Sequence, residues 1–202
     1  MKVGNCSYGC PADIPSVIPV FPLPCALLLP RGDIPLNIFE PRYIAMVDAA
    51  MASDRVIGMI QPDDGAAPCA CGPSLRQVGC AGRIISFAET GDGRYMITLT
   101  GIARFRIVEE LPLTAPFRRC LVSAAPFGTD FVQQETAVDR QAVLRAFRAY
   151  LTAHNLDADW ESVGRASNET LVNALAMMAP FGAAEKQALL EAPDLKARAE
   201  TL

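Results

Sequence analysis

Hydrophobic and polar positions divide this chain into two parts. Through about residue 126, apart from one helical stretch, the apolar residues come in short runs that alternate with polar ones, the period of strands with one face turned inward. Beyond that point they recur every three or four residues, the period of amphipathic helices. The stretch Pro35-Leu36-Asn37-Ile38-Phe39-Glu40-Pro41-Arg42-Tyr43 anchors the first part. Leu36, Ile38 and Phe39 suit the inner face of a strand. Pro41 ends any ladder because it has no N–H to donate, and the same ring suits a first helical turn, where that donor is idle. Tyr43, Met46, Val47, Ala50 and Met51 then form one apolar face of a helix over residues 41–52, with Glu40 beside its positive end.

The same reasoning assigns the rest. Residues 1–13 are polar and punctuated by Gly and Pro, the pattern of a loosely held, flexible arm. Residues 17–22 and 26–29 are expected as two short strands about the Pro22-Leu23-Pro24 turn, and Pro30-Arg31-Gly32-Asp33 as the next turn. The run Val56-Ile57-Gly58-Met59-Ile60-Gln61 predicts a buried strand, and the Pro-, Gly- and Ala-rich residues 62–73 a loop. Residues 78–87 and 95–100 flank Thr90-Gly91-Asp92-Gly93, a hairpin signal. Gly101 is expected to break the second run. Residues 103–108 resume it with Phe105 and Ile107 inward and Arg104 and Arg106 outward, and residues 118–124 make a last strand. Helices are predicted over 137–153, around Trp160 with Asp157 or Asp159 as cap, over 170–179 capped by Ser167-Asn168, and over 183–192 and 194–202. The division is a 1–13 arm, a 14–126 β subdomain and a 127–202 helical subdomain.

Composition narrows the function classes. The 202 residues are 51% hydrophobic, enough for a packed core. A net charge of -4 disfavours broad binding to nucleic acid or anionic membrane. No apolar run approaches the roughly 18 residues of a membrane helix, and residues 1–6 lack a signal-peptide core, so the expected location is cytoplasmic. The seven cysteines are odd in number. Cys6-x-x-x-Cys10 and Cys69-x-Cys71 with Cys80 lack the C-x-x-C spacing of a zinc knuckle, so reduced thiols and no metal are expected.

Catalytic constellations are hard to find. No Gly-Lys pair exists, so a phosphate-binding loop of the G-x-x-x-x-G-K-[ST] type is absent. The three lysines are Lys2 in the arm and Lys186 and Lys196 on expected surface helices. The single histidine, His154, sits at a helix end where a cation is favourable without catalysis. Asp63-Asp64 and Glu109-Glu110 suit solvated patches, and Gly91-x-Gly93 opens no helix that would bind a dinucleotide. No cofactor and no enzymatic activity are expected.

Several segments together resemble a known family. Ile18-Pro19-Val20-Phe21-Pro22-Leu23, then Leu27-Leu28-Leu29-Pro30, then Asn37 to Tyr43 resemble the start of the Lon substrate-recognition domain. This is the amino-terminal domain of the ATP-dependent Lon protease, which also occurs in short stand-alone proteins. The segments VGCAGRI from Val78, TGIARFRI from Thr100 and EKQ-x-LLE from Glu185 continue the likeness. Family members usually carry glycine where Cys25 sits, and cysteine there implies that the turn need not use a positive φ. The resemblance implies an α+β chain: a PUA-like small curved β-barrel with one packed helix, followed by a C-terminal α-helical bundle. A Lon protease also needs a nucleotide-driven motor and a Ser–Lys dyad, which this sequence lacks. The implied function is a non-catalytic module that binds unfolded or exposed polypeptide segments, alone or beside an ATP-dependent protease. Candidate contacts are Phe39, Arg42, Tyr43, Ile60, Gln61, Met177, Met178 and Phe181, with Arg42 and Gln61 as the exposed ones and core packing the plainer expectation for Phe39, Tyr43 and Met177. PUA-like barrels include RNA binders, so an arginine strip of Arg104, Arg106, Arg118 and Arg119 is the alternative. It lacks interleaved aromatics and has Glu89, Glu109 and Glu110 nearby to neutralise it.

Overall fold

The computed structural model describes residues 1–63, 65, 72–132, 138–155 and 157–202. The first part is β1 (Lys2–Val3), β2 (Cys6–Ser7), β3 (Val17–Pro22), β4 (Asp33–Ile38), α1 (Pro41–Met51), β5 (Val56–Ile60), β6 (Val78–Glu89), β7 (Tyr95–Glu110) and β8 (Arg119–Ser123). The helices α2 (Arg140–His154), α3 (Trp160–Arg165), α4 (Asn168–Met178), α5 (Ala183–Glu191) and α6 (Leu195–Thr201) follow. The Thr90 to Gly93 turn works as the sequence predicts: Gly91 and Gly93 take φ of 76° and 84°, and β6 and β7 run back from it as the longest ladder.

β7 organises the sheet. One flank pairs with β6 along its length, and the other pairs with β4 at Tyr95–Thr100 and with β8 at Arg106–Glu110. β3 joins β5 in parallel and β8 antiparallel. The β7–β8 pairing therefore closes β7-β6-β5-β3-β8 into a ring, and among the described residues β4 pairs with β7 alone. Gly101 does not break β7. The register against β6 shifts between Ala81 and Gly82, so Gly82 faces Gly101 and Ala81 faces Ala103. This bulge bends the strand in mid-course. Glycine is required at 101 because a Cβ there would land on the Leu29 carbonyl, whose carbon lies 2.8 Å from that position.

Three other expectations change. Residues 26–29 form no strand, yet Leu27, Leu28 and Leu29 are buried as an irregular segment that packs against Gly82 of β6 and Gly101 of β7. Cys25 does take a positive φ, 58°, so the turn keeps the left-handed geometry without the usual glycine. Residues 1–13 are held rather than loose: Val3 and Tyr8 join the core beside Ile18 and Phe105, and Arg83 donates to the carbonyl of Asp54 at 2.6 Å and to Asn5 Oδ1 at 2.9 Å. The expected 62–73 loop lies partly outside the described residues, as do Asp64, Cys69, Cys71 and the Ala137 start of the first expected helix.

The helices begin where their caps sit. Asp139, Ser167 and Asp194 accept from the N–H groups of Ala142, Thr170 and Ala197 at 3.0, 3.1 and 2.8 Å. Asp159 accepts from Glu161 at 3.0 Å at the start of α3. Val143 of α2 packs with Leu171, Val172 and Leu175 of α4 and Leu195 of α6. Ala176, Leu189 and Leu190 instead enter the core formed by Leu28, Leu29, Met46 and Leu99, so helices and ring share one interior. Lys186 is accordingly not a surface lysine; it is buried and its Nζ donates to the Met177 carbonyl at 3.3 Å.

A buried polar network fastens the two parts together. Arg104, expected to point outward, is 2% exposed. Its Nε and Nη2 meet the two Asp130 carboxylate oxygens at 2.9 and 2.8 Å, and its Nη1 donates to the carbonyls of Leu190 and Ala192 at 3.1 and 2.6 Å. Asp130 Oδ2 also accepts the backbone N–H of Arg104 at 2.9 Å. Arg198 donates to the Leu189 carbonyl and to Asn173 Oδ1, both at 2.9 Å, and Asn173 donates to the Pro30 carbonyl at 3.1 Å. Burial and the nearby Arg104 charge bring Arg198 down to about 10. Asp130→Ala strips a buried guanidinium and a buried N–H of their acceptor, and should cost about 3–5 kcal/mol. Urea unfolding followed by circular dichroism measures it, and a loss under about 1 kcal/mol would show that the network is not what holds the helices on.

Candidate functional site

The sharp corner between β4 and α1 lies between two clefts. Pro41 opens α1, and Glu40 turns back to Arg42, with Arg42 Nη2 2.7 Å from Glu40 Oε2. The Arg42 guanidinium lies 4.7 Å above the Tyr43 ring, which stands 4.4 Å from the Phe21 ring. Burial pushes the Tyr43 phenol up, so it stays neutral and serves as a wall. Phe39 follows the strand with 62% of its surface exposed, and Arg94 lies 6.0 Å over its ring.

One cleft, of about 410 Å³, runs beside β4 between the segment Pro35 to Phe39 and the segment Phe21 to Pro24. The other, about 300 Å³, lies across Arg42 and Tyr43 and is walled by Pro22, Pro24, Pro62, Pro116, Leu113 and Phe117. Pro22, Pro24, Arg42 and Tyr43 belong to both, so the two make one bent groove. Proline walls keep their shape because the ring fixes φ, which leaves a preformed surface. Leu113 stands on its rim, 53% exposed. Sequence reasoning missed the proline and Leu113 walls. The Phe21-Pro22-Leu23-Pro24 string was the available signal, which the sequence marks as a strand end and a turn.

The expected contacts divide. Phe39, Arg42 and Tyr43 meet at the groove, with Phe39 exposed rather than in the core. Met177 and Met178 line a third cleft of about 280 Å³, with Arg31, Gly32, Asp33, Glu169 and Asn173. Met178 is 66% exposed. Arg31 Nη1 meets Glu169 Oε1 at 2.6 Å; burial pushes the Glu169 carboxyl up and the Arg31 charge partly offsets it. Gln61, expected to be exposed, is buried and donates to the Ala183 carbonyl at 3.1 Å, joining β5 to α5. Ile60 is buried beside Val20 and Val56, and Phe181 packs half-buried against the shared core.

The arginine strip does not assemble. Arg104 belongs to the buried network. Arg118 is buried and grips both carboxylate oxygens of Glu110 at 2.7 and 2.6 Å. Arg119 turns to Thr114, leaving Arg106 exposed. Among the described residues no three His, Cys, Asp or Glu side chains gather to hold a metal. His154 ends α2 with its ring 4.5 Å from that of Tyr150. Cys120 is buried with its thiol pushed up to about 12, and burial pushes Cys80 further in the same direction.

A family model described as the ATP-dependent protease La (LON) substrate-binding domain matches residues 17–202. The chain belongs to this family. Lon protease 2 of Myxococcus xanthus is 30% identical over 197 residues, covering 92% of this chain and 23% of that protein. Lon protease 2 of Sorangium cellulosum is 25% identical over 189 residues, covering 90% and 23%. The chain thus spans about a quarter of the length of these relatives. Two solved structures share its α+β fold. A Lon N-terminal domain protein from Xanthomonas campestris has a TM-score of 0.63 at 22% identity, covering 91% of this chain and 95% of that one. The N-terminal domain of Mycobacterium avium complex Lon protease has 0.64 at 18%, covering 91% and 94%.

The burial of the cysteines in this Lon-type domain gives a direct check on its packing. Iodoacetamide should alkylate the exposed Cys10 and Cys25 in the native protein and leave Cys80 and Cys120 unmodified until denaturant is added. Peptide mass mapping reads the order; early labelling of Cys80 would show that the helices do not seal the ring.

Proposed function

We propose that this domain is a non-catalytic recognition module that holds unfolded or exposed polypeptide segments in the groove at the β4–α1 corner, for an ATP-dependent protease in the cytoplasm. Its closed ring, with α1 packed alongside, serves as a PUA-like barrel. The observation that carries the reading is the bent, proline-walled groove flanked by exposed Phe39 and Leu113. Apolar surface concentrated at a preformed cleft marks a binding site, and unfolded chains are the partners that offer apolar side chains without a fixed shape. The Met178 cleft adds an adaptable thioether surface to the same role. The family match to the Lon substrate-binding domain supports the reading.

The test is fluorescence anisotropy with labelled, carboxymethylated lactalbumin as the unfolded client. Phe39→Ser with Leu113→Ser should weaken binding about tenfold. Because both side chains are largely exposed, the double variant should keep its melting temperature within a few degrees. Binding of the client should depend weakly on salt, and casein with ATP should not be degraded by the pure domain. Equal affinity in the double variant would remove the groove from the reading. Tight RNA binding with a steep salt slope would replace the reading altogether.

A further inference from the structure

β4 is an edge strand, and its residues from Pro35 onward line the corner groove. The backbone N–H of Gly101 donates to the Gly32 carbonyl at 2.8 Å, in the register that pairs Asp33 with Thr100. Antiparallel alternation therefore turns the backbone groups of residues 34, 36 and 38 toward β7 and those of Asp33, Pro35 and Asn37 away from it. The placement of Pro35 agrees, since a residue without an N–H is tolerated on the outer side of an edge strand. Among the described residues no other strand pairs with β4.

We propose that the client is captured as an added strand along this outer edge of β4. The proposal rests on the polypeptide-binding reading above and specifies how the chain is held. The edge offers main-chain donors at Asp33 and Asn37 and carbonyl acceptors at Asp33, Pro35 and Asn37. It joins two of the clefts already described: Asp33 lines the Met178 cleft, and Pro35 to Phe39 line the corner groove. At about 3.3 Å per residue, the six residues of β4 extend about 20 Å, so one extended client segment reaches both. Its backbone pairs with the edge, and its alternate side chains enter the clefts, which is how strand addition combines affinity with tolerance of sequence. Between Asp33 and Glu40 the strand carries no charged side chain, so the matching client segment is uncharged. Pro35 interrupts the donors in mid-edge, which discourages pairing between two copies of β4 while leaving Asn37 available.

Amide hydrogen exchange on the full chain tests this, with a labelled, unstructured peptide of about ten residues and an alternating Val–Thr centre as the probe. In the free protein the Asn37 amide should exchange fast, and saturation with peptide should slow it at least about tenfold. Asn37→Pro should weaken peptide binding about tenfold while Asn37→Ala keeps it, because only the first removes the outward donor. Binding with no change at Asn37 overturns strand addition and leaves the polypeptide-binding reading standing. Absence of binding in the unaltered protein overturns both. Slow Asn37 exchange without peptide, rising with protein concentration, shows that a second copy takes the edge and also overturns the proposal. Should Asn37→Pro fail to fold, the exchange measurement on the unaltered protein decides alone.

Discussion

The structure depends on one buried ion pair. Arg104 and Asp130 sit 2% and 5% exposed, and each is satisfied by more than the other. Arg104 also binds the carbonyls of Leu190 and Ala192 at the end of α5, and the Asp130 carbonyl also accepts from Arg31 at 3.0 Å. Burying two charges is costly unless every donor and acceptor is met, so this pair specifies a geometry more than it adds raw stability. It brings the middle of β7, the turns at Ala125–Phe131 and the end of α5 to one point. Arg198, Asn173 and Pro30 extend that point to α6 and α4.

This junction also positions the proposed binding surface. Asn173 holds the Pro30 carbonyl, Arg31 bridges Asp130 and Glu169, and Gly101 grips Gly32. β4 begins immediately after these residues. The start of the edge is thus tied to the helices, and its far end is tied to α1 through Leu36, Ile38, Met46 and Val47 in the shared core. A strand clamped at both ends and paired on one side is a rigid template, and rigidity before binding reduces the entropy lost on capture.

The secondary structure was largely legible in the sequence because its signals are local. The Gly91-Asp92-Gly93 turn, Pro41 at the head of α1, and Ser167 and Asp194 as caps each act within a few residues. Gly101 shows the limit of that logic: the residue that looked like a break is a point where the Leu29 backbone crosses β7, visible only once the chain has folded back. Cys25 shows another, since local propensity argued against a left-handed residue and the packed Leu27, Leu28 and Leu29 segment holds it there.

The candidate site was half legible for the same reason. The sequence by itself determined the α+β order, the corner at Pro41, and the likeness to Lon substrate-binding domains, because periodicity, turn chemistry and motif all reside in consecutive residues. Only the tertiary structure decided exposure. Strand alternation sets Arg104 opposite Phe105, but α5 and the turns around Asp130 cover that outer face, and the arginine became an internal tie. Gln61 went inside with α5, and Phe39 went outside past the end of β4. Which side of a strand meets water depends on what packs there from far along the chain, and that information is not carried by neighbours in sequence.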